Sequence, residues 1–366
     1  MDEMSFVAAP IRIKVVGVGG GGGNAIGRLV NADIDGVQCV VVNTDAQALA
    51  RNETSTRVQI GEKLTRGLGA GGNPHVGSEA AIESEETLLE IVEDTDMIFI
   101  AAGMGGGTGT GAAPVVAKLA KACGSLAIGI VTKPFAFEGK RRRQIATEGV
   151  ERLAVEADAL IAIDNDRLFH PSDFDSRLTL ESAFRKIDEI LVVAVQAITE
   201  IITRPGLVNV DFADVRSILK DGGPAWLSVG HGNGQGRAVD AARRAVESPL
   251  SAADMRGAKR ILFTIAGTNN LTLTEVNEAA SVIRNEAAPD ANIIFGVTFD
   301  PTLDEGVRLV LLATEFTSTR DAVVKQRDDK LRHLLDGADE SELDVPAFMR
   351  QSLSLRSLSN DDSKKK

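Results

Sequence analysis

The chain has 366 residues, 43% of them apolar and 25% charged, enough for two domains with cores of their own. A net charge of −12 argues against a nucleic-acid binder, which needs a basic face to displace counterions. Two cysteines without a partner spacing indicate a reducing cytosol, and four scattered histidines suggest no metal centre. With no basic leader in the first ten residues and no apolar run of spanning length, a soluble cytoplasmic protein without direct membrane insertion is expected.

Through the first half, apolar β-branched runs alternate with helical spacings. Strands are predicted at Ile11–Gly19, Val37–Asp45, Val58–Gly61, Met97–Ala101, Leu126–Lys133 and Leu160–Asp166. Helices are predicted at Asn24–Asn31, Ser78–Val92, Ala112–Ala122 and Gly139–Glu156. Near-continuous apolar strands separated by helices predict an α/β fold, with a parallel sheet covered on both faces. Ligands then bind at the carboxyl ends of the strands. Those ends carry glycines, Asn43, Asp45 and Asn165.

Three of these ends are rich in glycine. Gly17–Gly22 fits G-x-G-x-x-G after a strand, with Asp45 ending the next, which alone reads as a dinucleotide fingerprint. A nicotinamide oxidoreductase is therefore the alternative reading. A second cluster, 67–74, contains Ala70, Gly71 and Gly72. The third is the stretch on which the chain turns: Gly103, Met104, Gly105, Gly106, Gly107, Thr108, Gly109, Thr110 and Gly111, between an apolar strand and a small-residue helix. Glycine lets backbone approach a ligand closely, and a helix start leaves free N–H groups. With two hydroxyls added, this predicts a polyphosphate socket. No G-x-x-x-x-G-K-[ST] occurs, so a P-loop is excluded.

Next come Glu138 and four cations, Lys140 to Arg143, at a helix start, a run that reads first as a solvated face. The macrodipole favours acids there, so at least one cation is expected to face an anion, with Glu138 available for a ribose hydroxyl. The longest helical pattern runs from Thr179 to Thr203 with Leu180, Phe184, Ile187, Leu191, Ala194, Ile198 and Ile201 on one stripe, a connecting spine about 37 Å long. Asn209, Asp211 and Asp214 follow it. Asp211 suits an N-cap and Asp214 a first helical turn. They also offer what the phosphate loops lack, a carboxylate to orient water.

Four strands, at 225–229, 260–266, 293–299 and 308–316, and two helices, at 237–247 and 275–286, make a second α/β domain, with Thr272 and Glu275 as a capping box. The last fifty residues carry ten Lys/Arg and ten Asp/Glu and one apolar island, 343–350, which reads as a docking peptide.

Taken in order, GVGGGGGNA, NTDAQAL, LTRGLGAGGNP, AAGMGGGTGTGAAPVVA, TKPFAFEG, RPGLVNVDFADVR and DVPAFMR resemble the FtsZ family of the tubulin superfamily, over roughly Ile11 to Phe316 plus the tail island. The resemblance implies a GTPase that polymerises head to tail into protofilaments and forms the midcell division ring, with a non-dividing tubulin-like filament protein as a further alternative. It implies GTP/GDP as ligand, with Mg2+ and a monovalent cation as companions. Gly19, Gly20, Gly21, Gly22, Gly23 and Asn24, with 103–111, would hold phosphates. Glu138 and Arg142 would contact ribose and phosphate, and Asn24, Asn165 and Asp188 the guanine. Asn209, Asp211 and Asp214 would reach into the next subunit's site, and 343–350 would bind membrane-anchoring adaptors. The implied division is a flexible 1–10, a GTP-binding domain 11–178, a connecting helix 179–203, an activation domain 204–316 and a tail 317–366. Two departures stand out. No proline precedes Asn165, and the linker 317–342 is short and partly helical in pattern.

Overall fold

A computed structural model describes residues 11–316 apart from 33, 35, 169–178, 205 and 248–254. The expectations for 1–10, the linker and the docking peptide lie outside these residues.

The first part alternates strand and helix: β1 (Ile13–Val18), α1 (Gly19–Asn31), β2 (Val37–Asn43), α2 (Ala46–Ala50), β3 (Thr56–Gln59), α3 (Glu62–Thr65), α4 (Pro74–Glu83), α5 (Glu85–Val92), β4 (Met97–Gly103), α6 (Thr108–Ala122), β5 (Leu126–Lys133), α7 (Lys140–Glu156) and β6 (Ala159–Asp164). The 24-residue α8 (Leu180–Thr203) follows, then α9 (Phe212–Leu219), β7 (Gly223–Gly232), α10 (Arg237–Val246), β8 (Ala258–Gly267), α11 (Leu273–Glu286), β9 (Asn292–Phe299) and β10 (Val307–Phe316). The strand order is β3-β2-β1-β4-β5-β6-β7-β10-β8-β9. All pairs from β3 to β6 are parallel. The last four strands form a mixed sheet, β10 antiparallel to β7 and β8, β9 parallel to β8. Only Ala159↔Gly223 and Leu160↔Pro224 join β6 to β7.

The apolar runs are explained by burial on both faces. Every residue of β4 except Gly103 is buried, as is every residue of β5 except Lys133. One core lies between the sheet and α1 and α8, and the other between the sheet and α4 to α7. A third fills the second part around Trp226, Phe263 and Leu309. Because α1 covers one face and α6 the other, the winding reverses between neighbouring β1 and β4. A crevice opens there at the strands' carboxyl ends.

Three predicted helices differ by four residues or more. Both glycine-rich loops turn helical earlier than expected, α1 from Gly19 and α6 from Thr108, because glycine runs give no periodicity to read. The single helix expected over Ser78–Val92 is two, broken at Ser84, whose hydroxyl accepts the Gly61 N–H. The spine helix keeps its stripe, but Leu180 and Phe184 are 59% and 40% exposed and lie outside the core.

Helix α6 is held against α4 by backbone contact. A Cβ at Gly111 would collide with the Pro74 carbonyl oxygen, which does not move without shifting the start of α4. Alanine gains about 1 kcal/mol of helix propensity over glycine, but overpacking against backbone costs about 3 kcal/mol. Gly111→Ala should therefore lose stability, with a Tm roughly 2–4 °C lower in a thermal melt. An unchanged or higher Tm would show that the α4–α6 contact yields.

Candidate functional site

A cavity of about 340 Å³ opens at the carboxyl ends of β1, β4 and β5. One wall is the backbone of α1's first turn, Gly20 and Gly21, and another is the loop from Gly103 to Gly109. These walls are adjacent: a Cβ at Gly21 would stand 3.2 Å from the Gly103 backbone. Among the described residues the N–H groups of Gly20, Gly21, Gly106, Gly107, Thr108 and Gly109 find no backbone acceptor. Two helix starts thus present unpaired donors to one space, which suits an anion with many oxygens.

The glycines divide by what they meet. A Cβ at Gly22 would collide with the Ala101 carbonyl oxygen, so Gly22 serves packing and is buried. A Cβ at Gly20 or Gly106 meets nothing within 4 Å, and both residues line the cavity. Gly107 is the revealing case. The sequence suggests that it makes room for ligand, but its Cβ would stand 2.8 Å from the Ala70 Cβ and 3.0 Å from the Asn73 nitrogen.

Other residues of the phosphate set brace the loop. Thr110 is fully buried, and its hydroxyl accepts the Gly105 N–H at 2.9 Å. The Thr108 hydroxyl pairs with that of Thr44 at 2.7 Å. The Met104 N–H donates to the Thr132 carbonyl at 2.9 Å, tying the loop to β5. Gly19, Gly22, Gly23, Ala70, Gly71, Gly72, Gly105, Thr110 and Gly111 do not line the cavity.

The rest of the lining comes from β5, β6, α7 and α8. Glu138 accepts the Phe135 N–H at 2.9 Å through one oxygen and pairs with Arg142 at 2.9 Å through the other. Of the four cations at the start of α7, Arg142 is thus the one on the cavity, while Arg143 pairs with Asp166. Asn165 follows β6 in a 3-10 turn, 165–168, which Asp164 starts by accepting the Asp166 N–H at 3.1 Å. The Asp164 carboxylate shapes this turn, so no proline is required before Asn165. Asn165 is 4% exposed, and its buried Oδ1 has no hydrogen-bond partner. Asn24 on α1 faces Phe184, Ile187, Asp188 and Leu191 on α8, which share one helical face. Arg28 donates to Asp188 at 3.0 Å. Burial pushes the Asp188 carboxyl above its ordinary range, and Arg28 opposes that shift.

Thr132, Pro134, Phe184, Ile187 and Leu191 also line the cavity although no motif marks them individually as functional. The α8 trio reads as core because a cavity wall and a core stripe share the same spacing. Phe184 sets its edge on Phe135, with ring centroids 5.6 Å apart.

Asn209, Asp211 and Asp214 lie elsewhere. Twelve residues separate Leu191 from the end of α8 at Thr203, roughly 18 Å. The far end of α8 is therefore about half a helix length from the cavity wall. Asp211 and Asp214 cap α9 reciprocally, Asp214 N–H to Asp211 Oδ1 at 2.8 Å and Asp211 N–H to Asp214 Oδ2 at 3.3 Å. Asn209 is not free of local duty, because its Oδ1 accepts the Gly206 N–H at 2.5 Å. Neighbouring Val208 bridges to Val297 of β9.

Asp45 bears on the oxidoreductase alternative. Its carboxylate accepts the Gln47 and Ala48 N–H groups at 2.9 and 3.0 Å and caps α2, and it does not line the cavity. Asp45, the acid that the dinucleotide fingerprint would put on a ribose, is thus committed to a helix cap away from the cavity.

Two family models match, "Tubulin/FtsZ family, GTPase domain" over residues 12–173 and "FtsZ family, C-terminal domain" over 223–317. An empty FtsZ dimer from M. jannaschii is 44% identical, with 85% of this chain and 90% of that one covered at a TM-score of 0.77. A point mutant of M. jannaschii FtsZ gives 45%, 84%, 91% and 0.77. GDP-bound CetZ1 from Haloferax volcanii is 22% identical, covering 88% of this chain and 100% of that one with a TM-score of 0.72, a likeness of fold alone. The donor-lined crevice at the β1/β4 reversal, the matched domains on either side of α8 and the identity along most of the chain agree: this protein is a GTPase of the FtsZ family.

Proposed function

We propose that the protein polymerises head to tail, completes each GTP site with the following subunit and forms the division ring at midcell. One observation carries the reading. Among the described residues the cavity is lined by two carboxylates: Glu138 has both oxygens engaged, by the Phe135 N–H and Arg142, and Asp188, held by Arg28 through one oxygen, is the group this reading assigns to guanine. Hydrolysis needs a group that orients water at the γ-phosphate. Asp211 and Asp214 each keep one carboxylate oxygen outside the capping box. Asp211 is exposed and Asp214 part-exposed, beyond the far end of α8, which supports a role toward a neighbouring subunit. The FtsZ dimer among the similar structures is in keeping with self-association.

In this reading residues 11–178 bind nucleotide, 179–203 connect and 204–316 activate. The free N–H groups of α1 and of the 106–109 loop take the phosphates, and Arg142 and Glu138 the ribose and phosphate. Asn24, Asn165 and Asp188 take the guanine, and the unpartnered Asn165 oxygen is an acceptor for its N–H edge. Mg2+ rides on the phosphates, which neutralises their charge; no group of three or more His, Cys, Asp or Glu side chains able to hold a metal occurs among the described residues. No helix among them is long and apolar enough to cross a membrane, and 343–350 would recruit a membrane-anchoring adaptor. The CetZ likeness keeps a non-dividing filament protein as the second reading, with identity favouring FtsZ at 44% against 22%.

Two variants test the socket. Gly106→Val puts its branch into open space beside the cavity and should keep the wild-type melting temperature while GTP affinity falls more than about tenfold. Gly107→Val drives its branch into Ala70 and Asn73 and should lose stability first. Equal GTP binding by Gly106→Val and wild type in equilibrium titration would remove the 103–109 loop from the phosphate site.

The intersubunit acid is tested by Asp214→Asn. The asparagine oxygen still accepts the Asp211 N–H, so the cap, worth about 1 kcal/mol, survives. GTP affinity and Tm should stay at wild type while turnover falls at least about a hundredfold. Mixed with wild type, the variant should depress turnover below the average of the two proteins, because each mutant subunit silences its neighbour's site. Wild-type turnover, or mixtures at the plain average, would leave Asp214 as a cap alone.

A further inference from the structure

We propose that Arg28 is a positioning residue for guanine, holding the Asp188 carboxylate in place as the acceptor for the base. The inference rests on the assignment of Asp188 to guanine made above.

Arg28 stands one turn after Asn24 on the same face of α1, and Asp188 one turn after Phe184 on α8. The two helices pack on each other, and Arg28 and Asp188 meet across them. Arg28 Nε donates to Asp188 Oδ2 at 3.0 Å, and Oδ1 has no hydrogen-bond partner among the described residues. The Asp188 side chain is 14% exposed and sits beside Ile187, Leu191 and Phe184 on the cavity wall. Such surroundings favour a neutral carboxyl, and adjacent Glu189 pushes the same way; the guanidinium is the opposing influence. Guanine presents two adjacent donors, N1–H and the 2-amino group. Only the ionised carboxylate accepts both with both oxygens; a protonated one turns one oxygen into a donor facing a donor, and a rotated one no longer aligns both oxygens with the pair. Arg28 does not line the nucleotide cavity. It lies in an adjoining groove that shares Asn24, Phe184 and Asp188 with it, so it acts through Asp188 and not on the base.

The test measures binding of GTP and of inosine triphosphate, which lacks the 2-amino group, to the full chain. Arg28→Gln should weaken GTP binding about fivefold, the scale of one partly exposed charge pair, and should narrow the GTP-to-inosine-triphosphate preference by a similar factor. Its GTP-to-GDP preference should stay at wild type, since the phosphate end is untouched. Asp188→Asn should narrow the base preference as well, and adding Arg28→Gln to it should change the preference no further. Arg28→Lys, which keeps a cation on that face of α1, should recover part of the preference if the glutamine variant folds poorly. A wild-type base preference in Arg28→Gln beside a collapsed one in Asp188→Asn would reduce Arg28 to a helix clamp and overturn the proposal. A wild-type preference in Asp188→Asn would overturn the guanine assignment itself. Equal preferences in the lysine and glutamine variants would show that the charge on α1 does not matter.

Discussion

Unpaired backbone N–H groups at two helix starts are the constraint to which the surrounding structure answers. A helix start leaves its first donors without partners, and burying them without acceptors is costly. Here the starts of α1 and α6 stand side by side because β1 and β4 are neighbours whose helices leave to opposite faces. Two sets of donors therefore converge where a single P-loop would supply one. Their approach is backbone on backbone, Gly21 against Gly103 and Gly22 against Ala101, so no side chain fits between them. A triphosphate is the natural counterpart of such a surface, since it brings many acceptors and the charge to which both helix dipoles respond.

The charged side chains complete that arrangement by being already paired. Glu138 and Asp188 would repel a triphosphate as free carboxylates. Arg142 and Arg28 neutralise them, and the same pairs fix where their oxygens point. On the proposed reading such a pocket holds the nucleotide and leaves the orienting of water at the γ-phosphate to a group from outside it. Helix α8 joins this pocket to the 206–214 segment, its first half lining the cavity and its second half packing on the sheet before the Asp211–Asp214 box. On this reading the separation of nucleotide and acids within one chain is the physical reason for coupling hydrolysis to assembly.

The sequence carried the architecture and the order of its elements with good fidelity, because buried parallel strands and long amphipathic helices leave strong periodic signals. The α8 stripe and the Thr272–Glu275 box were visible at the residue level. Inside the glycine runs the pattern falls silent. Gly20, Gly106, Gly107 and Gly111 are the same letter, yet two face open space, one meets the 70–73 loop and one meets Pro74. Pairings across long separations were equally hidden, since nothing in the chain couples Arg28 to Asp188, 160 positions away. Polar residues with two duties gave half an answer. Asp211 and Asp214 show their cap in the structure, while a duty to a neighbour leaves no mark within one subunit.

The central claim, that one chain does not hold a whole active site, is tested most directly by GTP turnover per molecule as protein concentration rises. An active site made between subunits predicts negligible turnover below a threshold concentration and a steep rise above it, in step with the appearance of sedimentable polymer. Turnover per molecule that stays constant from dilute monomer to concentrated protein would show that each chain hydrolyses GTP by itself, and would contradict the account.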